Sequence, residues 1–376
     1  MNTSTPNSRT CPQTLPVVIT GAGVYAATGD LGFALFAAVA TRLCCGCPTA
    51  GLFVPAAGQG VAQPYSAPIA ALPLEMNADI RIPFMAGQAL TGACAFLPSN
   101  PAGLRVLVLT LLPAASPERP QDSGPDRASL AEELRSTHPT LVTAEIRFAP
   151  VDTGAAVHLA ACIKELHHGK WDAVLFGGVD SLIDHATILA LASRGYCRTD
   201  RNAEGTLSGE GAAYLLLQLP DKASPAMAVI AGVGYDREEN HGKAADRQMT
   251  ALASVIQEAL DQGQCSPDRL ETIVEPMGSS VPAALEWHQV RRKLWLTPEN
   301  INLGMEELSP LSIIGDTGAA ALPLALVIGC SRFEFNFPSV ESVLVCEGDQ
   351  GPARGAVLLM NNKKPTQETN PRNARV

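Results

Sequence analysis

The chain has 376 residues, of which 46% are apolar and 17% charged, so it can bury a sizeable core and is too apolar to be disordered. Its formal net charge of -10 disfavours a nucleic-acid-binding function, which needs a basic surface. The ten cysteines are scattered apart from Cys44, Cys45 and Cys47. This spacing disfavours a disulfide-built domain and indicates reduced thiols in a cytoplasm.

The chain has no evident leader or membrane span. Its N-terminus, MNTSTPNSRTCPQTLP, lacks the charged-then-apolar pattern of a signal peptide. Apolar stretches such as Leu31–Thr41 and Thr317–Cys330 are shorter than the roughly 20 residues that a membrane-spanning helix needs. We therefore expect a soluble, cytoplasmic protein.

Short apolar runs alternate with helix-like segments in the first part of the chain. Strands are predicted at Pro16–Gly21, Arg105–Leu112, Leu141–Phe148, Ala173–Phe176 and Ala212–Leu217, and helices at Leu31–Leu43, Ala128–Ser136 and Gly154–His168. Gly21-Ala22-Gly23 and Gly177-Gly178 follow two of these strands and predict tight turns. Residues 51–100 are rich in Gly, Pro and Ala and show no clear period, so they receive no assignment.

A similar series follows in the second part. Strands are predicted at Ala228–Val233, Thr272–Val274, Ser342–Val345 and Ala356–Met360, and helices at Ala245–Leu260, Pro282–Leu294 and Gly318–Ile328. Short apolar strands that alternate with helices predict sheets covered on both faces. We expect a flexible N-terminus (1–14), two similar halves (15–220 and 221–360) packed into one body, and a disordered tail (361–376).

The stretch from Gly169 to Leu217 carries a family resemblance. It contains GKWDAVLFGGVDSLID and then RTDRNAEGTLSGEGAAYLLL, and the chain opens its first strand with VVITGAG. The residues that match in order and spacing are Gly177, Gly178, Asp180, Gly205, Gly209, Glu210 and Gly211. In these motifs the chain resembles the β-ketoacyl synthases of the thiolase superfamily. The resemblance implies an α/β thiolase fold, with two βαβαβαββ halves in a five-layered α-β-α-β-α body.

By this resemblance, a nucleophilic cysteine should follow the strand that ends near Phe148. The family places it at a sharp strand-to-helix turn, where the helix N-terminus lowers its pKa. Counting back from Gly169 puts this position at Pro150–Asp152, centred on Val151. A shift of the register as far as Ala156 still finds no Cys or Ser.

Two other side chains near this turn were weighed as nucleophiles. Thr153 is the one hydroxyl in the turn, and no base is evident beside it. Cys162 lies about two helical turns further on and is expected to face the core, where thiols are inert. His158 matches a helix position where many synthases carry a histidine without a catalytic role.

The resemblance also implies two catalytic histidines. The stretch Glu275-Pro276-Met277-Gly278 keeps the family's Glu and Gly, but Met277 replaces the first histidine. A thioether cannot transfer a proton or donate a strong hydrogen bond. In Gly315-Asp316-Thr317-Gly318 the glycine persists and Asp316 replaces the second histidine. A carboxylate would repel the enolate that an imidazole stabilises.

The family's C-terminal glycine-rich loop is unrecognisable as well. Cys346–Gly351 stands near that place and adds two carboxylates, which suit neither an acyl chain nor a phosphopantetheine phosphate. We therefore predict no catalytic residue, with Val151, Met277 and Asp316 as degenerate positions. The predicted vestigial pocket comprises Thr153, Gly177, Gly178, Gly209, Glu210, Gly211, Glu275, Gly278, Gly315 and Gly318. These glycines could equally shape the backbone alone.

No cofactor or metal is predicted. Cys44–Cys47 lacks a second Cys or His pair at the spacing of a zinc site. Arg291–Lys293 could attract an acidic partner or simply be a solvated helix face.

Two functions from different classes follow. The segment Val179–Ala213 is similar to a diverged, cysteine-less branch of synthase-like proteins found among genes for type VI secretion effectors. This resemblance implies a non-enzymatic adaptor or chaperone-like partner of such an effector. The alternative is a silent subunit of a β-ketoacyl synthase, like a chain-length factor, or a diverged acyltransferase. The thiolase-like fold also implies a homodimer or heterodimer through a sheet edge beside the cysteine turn.

Overall fold

A computed structural model describes residues 16–55, 60–97, 103–113, 125–223, 225–240, 249–276, 281–298, 301–335, 338–348 and 351–362. Within these ranges, no helix is both long and apolar enough to cross a bilayer.

Strands and helices alternate through the first half. The strands are β1 (Val17–Ala26), β2 (Cys47–Pro48), β3 (Val54–Pro55), β4 (Val61–Ala62), β5 (Tyr65–Ala67), β6 (Val106–Leu112), β7 (Glu145–Pro150), β8 (Ala173–Ser181) and β9 (Ser208–Gln218). The helices are α1 (Gly32–Ala40), α2 (Ala78–Cys94), α3 (Arg127–Ser136), α4 (Ala155–His167) and α5 (His185–Ser193), with 3-10 turns at Pro139–Leu141, Val151–Thr153 and Pro220–Lys222.

The second half repeats the pattern. Its strands are β10 (Ala228–Arg237), β11 (Thr272–Val274), β12 (Glu306–Leu308), β13 (Ser342–Gly348) and β14 (Ala353–Asn361). Its helices are α6 (Ala251–Gln262), α7 (Val281–Leu294), α8 (Pro310–Ile314) and α9 (Ala321–Glu334), with 3-10 turns at Pro267–Arg269 and Gly318–Ala320.

The strand order shows that the two halves are equivalent. Without the short strands β2–β5, the first half is ordered β7-β6-β8-β9-β1 and the second β12-β11-β13-β14-β10, so the order along the chain is the same in both. The outermost pair of each half, β6 with β7 and β11 with β12, is parallel, and the last two strands of each half, β8 with β9 and β13 with β14, pair antiparallel. The halves meet where β1 pairs antiparallel with β10.

The helices complete five layers. Helix α4 contacts β8 of its own half and β14 of the other, while α9 contacts β13 of its own half and β9 of the other. These two helices therefore lie between the strands of the first half and those of the second. Side chains from α4, α9 and both sets of strands share one apolar core. Helix α2 covers the outer face of β1 and β9, and α6 covers β10 and β14. The predicted α-β-α-β-α body with two βαβαβαββ halves is confirmed.

The predicted turns at the glycine pairs are wrong. Strand β1 runs through Gly21 and Gly23 to Ala26, because α2 packs directly on this backbone. A Cβ on Gly23 would lie 2.0 Å from the carbonyl oxygen of Ala89. Glycine at this position therefore permits a helix to approach a strand closely, and no turn is needed.

Gly177 and Gly178 likewise lie inside β8, which continues to Ser181. A Cβ on Gly177 would meet the Tyr214 ring at 2.2 Å, and one on Gly178 would meet the carbonyl oxygen of Ala319 at 2.2 Å. Both glycines make room for neighbouring elements on the two faces of the strand.

A buried ion pair fastens α2 to β9. Arg81, which is 3% exposed, donates from Nε to Glu210 Oε2 at 2.6 Å and from Nη2 to Oε1 at 2.7 Å. Glu210 is fully buried and also accepts from the Ile69 N–H at 2.8 Å and the Ser181 hydroxyl at 3.0 Å. The carboxylate thus joins α2, β8, β9 and the segment that follows β5.

Removal of one residue of this ion pair should destabilise the fold, because the other charge stays buried. Arg81→Met leaves a buried carboxylate without its cation, so we expect the free energy of unfolding to fall by about 3–5 kcal/mol. The double variant Arg81→Met/Glu210→Gln should lose less than the sum of the two single changes. Urea denaturation measures both quantities.

The matched control is Arg105→Met, because Arg105 pairs with Asp172 at 3.0 Å and is half-exposed. It should change stability far less. Additive losses in the double variant would contradict direct coupling of Arg81 and Glu210.

Candidate functional site

The strand-to-helix turn expected to hold a nucleophile is present and contains no cysteine or serine. Strand β7 ends at Pro150, a 3-10 turn covers Val151–Thr153, and α4 begins at Ala155. Val151 lies in the turn and packs partly against the main core. Gly154 has φ +96°, in the region that favours glycine, and positions the start of the helix. The helix N-terminus thus carries Gly154 and Ala155, and neither side chain can attack a thioester.

A carboxylate from the other half occupies this helix N-terminus. The side chain of Glu347, on β13, accepts hydrogen bonds from the N–H of Ala155 at 2.5 Å and of Ala156 at 2.8 Å, one on each oxygen. The first N–H groups of a helix have no acceptor within the helix, and its N-terminus is the positive end of the helix dipole. Glu347 therefore caps the donors that could otherwise stabilise an anion at this turn.

Glycines make room for this carboxylate. A Cβ on Gly355, in β14, would lie 2.7 Å from Glu347 Oε2 and 2.5 Å from the Ala156 Cβ. A Cβ on Gly154 would lie 3.1 Å from the Ala353 Cβ and 3.5 Å from Glu347 Oε2. A larger side chain at Gly355 would displace the carboxylate, whereas a Cβ on Gly154 would only contact it.

The expectation that no base lies beside Thr153 is wrong. His158 Nε2 lies 3.2 Å from the Thr153 hydroxyl, because residues five apart face each other where the turn enters α4. The same nitrogen lies 3.1 Å from the carbonyl oxygen of Pro150. A carbonyl can only accept, so Nε2 carries its proton and donates to Pro150. In this arrangement the ring nitrogen cannot take a proton from Thr153.

Cys162 faces the core, as predicted. The side chain is buried on α4, and burial raises the pKa of its thiol to about 12. A neutral, enclosed thiol is a poor nucleophile.

The turn that carries Asp316 packs closely on the start of β9. Gly315 (φ +79°) lies against Gly209, where a Cβ on Gly209 would come within 2.3 Å of the Ile314 carbonyl oxygen. The Asp316 carboxylate accepts from the N–H of Gly318 at 2.8 Å, which closes the turn ahead of α9. The structure thus brings Gly209 and Gly315 together as a backbone contact, and Gly318 lies in the same turn as Gly315.

Asp180 is the first-half counterpart of Glu347. It is buried at the end of β8 and accepts from the N–H of Ala319 at 2.9 Å and of Ser181 at 2.7 Å. The start of α4 and the 3-10 turn that leads into α9 are therefore each capped by a carboxylate from the other half. Sequence reasoning noted both acidic residues and missed this role. The available signal was their equal position, next to last in β8 and next to last in β13.

Glu275 follows β11 and is 5% exposed. Burial and the nearby Glu307 carboxylate raise the pKa of Glu275 to about 7, against the opposing effect of Arg291 and Arg42. Its carboxyl group is therefore half-ionised near neutral pH. Met277 and Gly278 lie outside the described residues.

No metal site emerges from the part of the chain that the structure describes. Within those ranges, His, Cys, Asp and Glu side chains form no group of three that could hold an ion. Cys44 and Cys47 are exposed free thiols.

Comparisons with known proteins show similarity to β-ketoacyl synthases. Residues 151–223 match the family model of the β-ketoacyl synthase N-terminal domain. Comparison with curated proteins finds no match. An oxazolomycin ketosynthase domain of Streptomyces albus superposes with a TM-score of 0.73 at 15% identity, over 94% of this chain and 75% of its own length.

Two further structures agree. A β-ketoacyl synthase from Burkholderia phymatum gives a TM-score of 0.69 at 16% identity, over 93% of this chain and 100% of its own. The ishigamide ketosynthase/chain length factor gives 0.68 at 15% identity, over 92% and 99%. The chain therefore has the thiolase fold in its ketosynthase form, and the match at residues 151–223 supports the β-ketoacyl synthase family. Identities this low establish the fold and leave activity open.

The raised pKa of Glu275 makes stability depend on pH. Its folded-state pKa of about 7 exceeds the usual value, so its stabilising protonated form is fully present below about pH 4.5 and lost as pH rises through 7. As pH rises from 5 to 8, ionisation of Glu275 should lower the free energy of unfolding of the wild type by about 3 kcal/mol. Glu275→Gln should remove that decline, as measured by urea denaturation at both pH values.

Glu307→Gln is the control, because loss of the neighbouring charge should lower the pKa of Glu275 and shrink the decline without abolishing it. Equal pH dependence in the wild type and Glu275→Gln would contradict the assignment.

Proposed function

We propose that this chain is a catalytically inactive β-ketoacyl synthase-like protein that acts as a binding or accessory protein. The observation that carries the proposal is the Glu347 carboxylate on the first N–H groups of α4, beside a turn without a thiol. An anion already seated there opposes both the formation of a thiolate and the stabilisation of an oxyanion. The scaffold of the site is thus kept while its chemistry is replaced.

The other degenerate positions support the same proposal. Asp316 uses its carboxylate to close a turn on the Gly318 N–H, so it adds negative charge where the family would place an imidazole. Thr153 and His158 cannot replace the family's cysteine and histidine, because His158 Nε2 donates its proton to the Pro150 carbonyl oxygen and so cannot accept one from Thr153. Val151 offers no reactive group.

Intact-mass spectrometry tests the proposal. After incubation with malonyl and long-chain acyl thioesters, the wild type should show no covalent adduct, because no thiolate or activated hydroxyl stands at the turn. Thr153→Ala should behave identically, and a cysteine-containing ketosynthase treated in parallel should become acylated. A stoichiometric adduct on the wild type that Thr153→Ala abolishes would show that the turn is active.

The partner we propose is a type VI secretion effector or its adaptor, which this chain would help to load, fold or hold in the cytoplasm. Support comes from the sequence resemblance of Val179–Ala213 to the cysteine-less branch described above. The alternative is a silent subunit beside an active synthase. The similarity to a structure named as a ketosynthase/chain length factor is compatible with that alternative. Co-expression with the products of neighbouring genes separates the two by which product co-purifies.

We propose that association, in a homodimer or heterodimer, uses β7. This strand ends the sheet and pairs only with β6 among the described strands. Its Ile146 and Phe148 side chains are only partly buried. An antiparallel pair of β7 strands centred on Ile146 would place Glu145 opposite Arg147 of the partner subunit, so the edge is self-complementary in charge.

Charge reversal tests the use of this edge. Glu145→Lys would oppose two cations across the strand pair, and we expect it to weaken the complex at least tenfold, as measured by light scattering across a concentration series. Glu132→Lys makes the same change on the exposed face of α3 and should leave association unchanged. Equal effects of the two variants would argue against β7 as the contact.

A further inference from the structure

Glu347 is held by a contact that crosses between the two halves. It lies next to last in β13 of the second half, and its two oxygens bond the first two N–H groups of α4 in the first half. Each oxygen accepts one N–H, at 2.5 Å and 2.8 Å. Both acceptor atoms are therefore used on the same helix terminus.

The surroundings are shaped for this carboxylate. Gly355 lies directly opposite Glu347 in the β13–β14 hairpin, and any side chain on Gly355 would overlap both Oε2 and Ala156. Gly154 and Ala156 present hydrogen and methyl groups on the helix side. Small residues thus line the contact from both halves.

The same device recurs at the equivalent position of the first half. Asp180 lies next to last in β8 and opposite Gly211, as Glu347 lies opposite Gly355. It caps the 3-10 turn that leads into α9, through the Ala319 N–H. The repetition indicates that a carboxylate at this strand end is a built feature of the fold in this chain.

We infer that Glu347 is an internal anion that plugs the start of α4. Its carboxylate occupies, from within the chain, the anion-accepting end of α4, and so excludes an external carboxylate or oxyanion from the turn. The inference rests on the proposed function in one respect, namely that the plugged turn performs no chemistry. Acylation and anion occupancy are separate measurements, so either proposal can fail alone.

Chemical rescue with acetate tests the plug in the full-length chain. Glu347→Ala removes the carboxylate and leaves two uncapped N–H groups, so its thermal midpoint should fall by roughly 2–4 °C. Sodium acetate should restore at least about half of that loss, since it supplies the missing anion to a folded-state site. The wild type, whose site is filled, should show no acetate effect beyond that of sodium chloride at equal ionic strength.

Three controls make the result specific. Acetamide, the neutral analogue, should not rescue Glu347→Ala. Glu132→Ala removes an exposed carboxylate on α3 and should show no acetate response. Gly355→Ala keeps Glu347 but fills its space with a methyl group, so this variant should lose stability without gaining an acetate response.

Hydrogen exchange decides the case if Glu347→Ala does not fold. In Glu347→Gln the amide keeps one acceptor and places an NH₂ group against the other donor, so one of the two N–H groups, of Ala155 or of Ala156, should exchange at least tenfold faster than in the wild type. Unchanged exchange at both residues would overturn the inference. So would an acetate effect of equal size in the wild type, Glu132→Ala and Glu347→Ala.

Discussion

The first N–H groups of α4 need a hydrogen-bond acceptor, and several features of this structure follow from that constraint. A helix that begins in the middle layer leaves its first N–H groups away from bulk water, and buried donors need an acceptor. In this chain the acceptor is Glu347, which comes from a strand of the other half. The contact gives the first N–H groups of α4 an acceptor and links the two halves. It also fills the turn at which a ketosynthase would carry its nucleophile. One carboxylate thus has a structural effect and a functional one.

The equivalence of the halves extends to their buried charges. In the first half, Glu210 precedes Gly211 on β9 and pairs with Arg81 of an outer helix. In the second half, Arg354 precedes Gly355 on β14 and pairs with Glu286 of an outer helix, at 2.8 Å and with the opposite polarity. Buried pairs add little net stability, but each requires its exact partner once formed. Together with Asp180 and Glu347, they connect the last two strands of each half to an outer helix on one side and, on the other, to α4 or to the 3-10 turn before α9.

Apolar strands were the easiest feature to predict, because a strand buried on both faces is a continuous apolar run. The Thr272–Val274 strand is confirmed at both of its ends, and the main error elsewhere was to stop strands at glycines. Gly21, Gly23 and Gly177 sit inside strands because a helix or an aromatic ring presses on the backbone there. These contacts come from segments that are distant in the sequence. A prediction that treats each glycine as a local turn former cannot include them.

Other parts of the chain could not be assigned for the same physical reason. Helix α2 lies within residues 51–100, and its sequence includes Pro83 and a buried Arg81, both atypical of a core helix. Arg81 is explained only by Glu210, 129 positions away. The cap on α4 likewise joins Ala155 to a residue 192 positions later. The absence of a cysteine from this turn can be read from the sequence, whereas the carboxylate that occupies the turn depends on the fold.

The replaced site also bears on where a partner can bind. Glu347 and Asp316 place carboxylates on the two turns that a ketosynthase uses for its reacting groups, and both carboxylates are engaged by backbone N–H groups. An acyl thioester would have to displace one of them, and an oxyanion or enolate formed from it would be repelled by both. The edge of β7, by contrast, leaves half-buried apolar side chains and paired charges of both signs on an open strand. Interior charge thus disfavours the old cleft, and the sheet edge keeps the features of a surface that recognises protein.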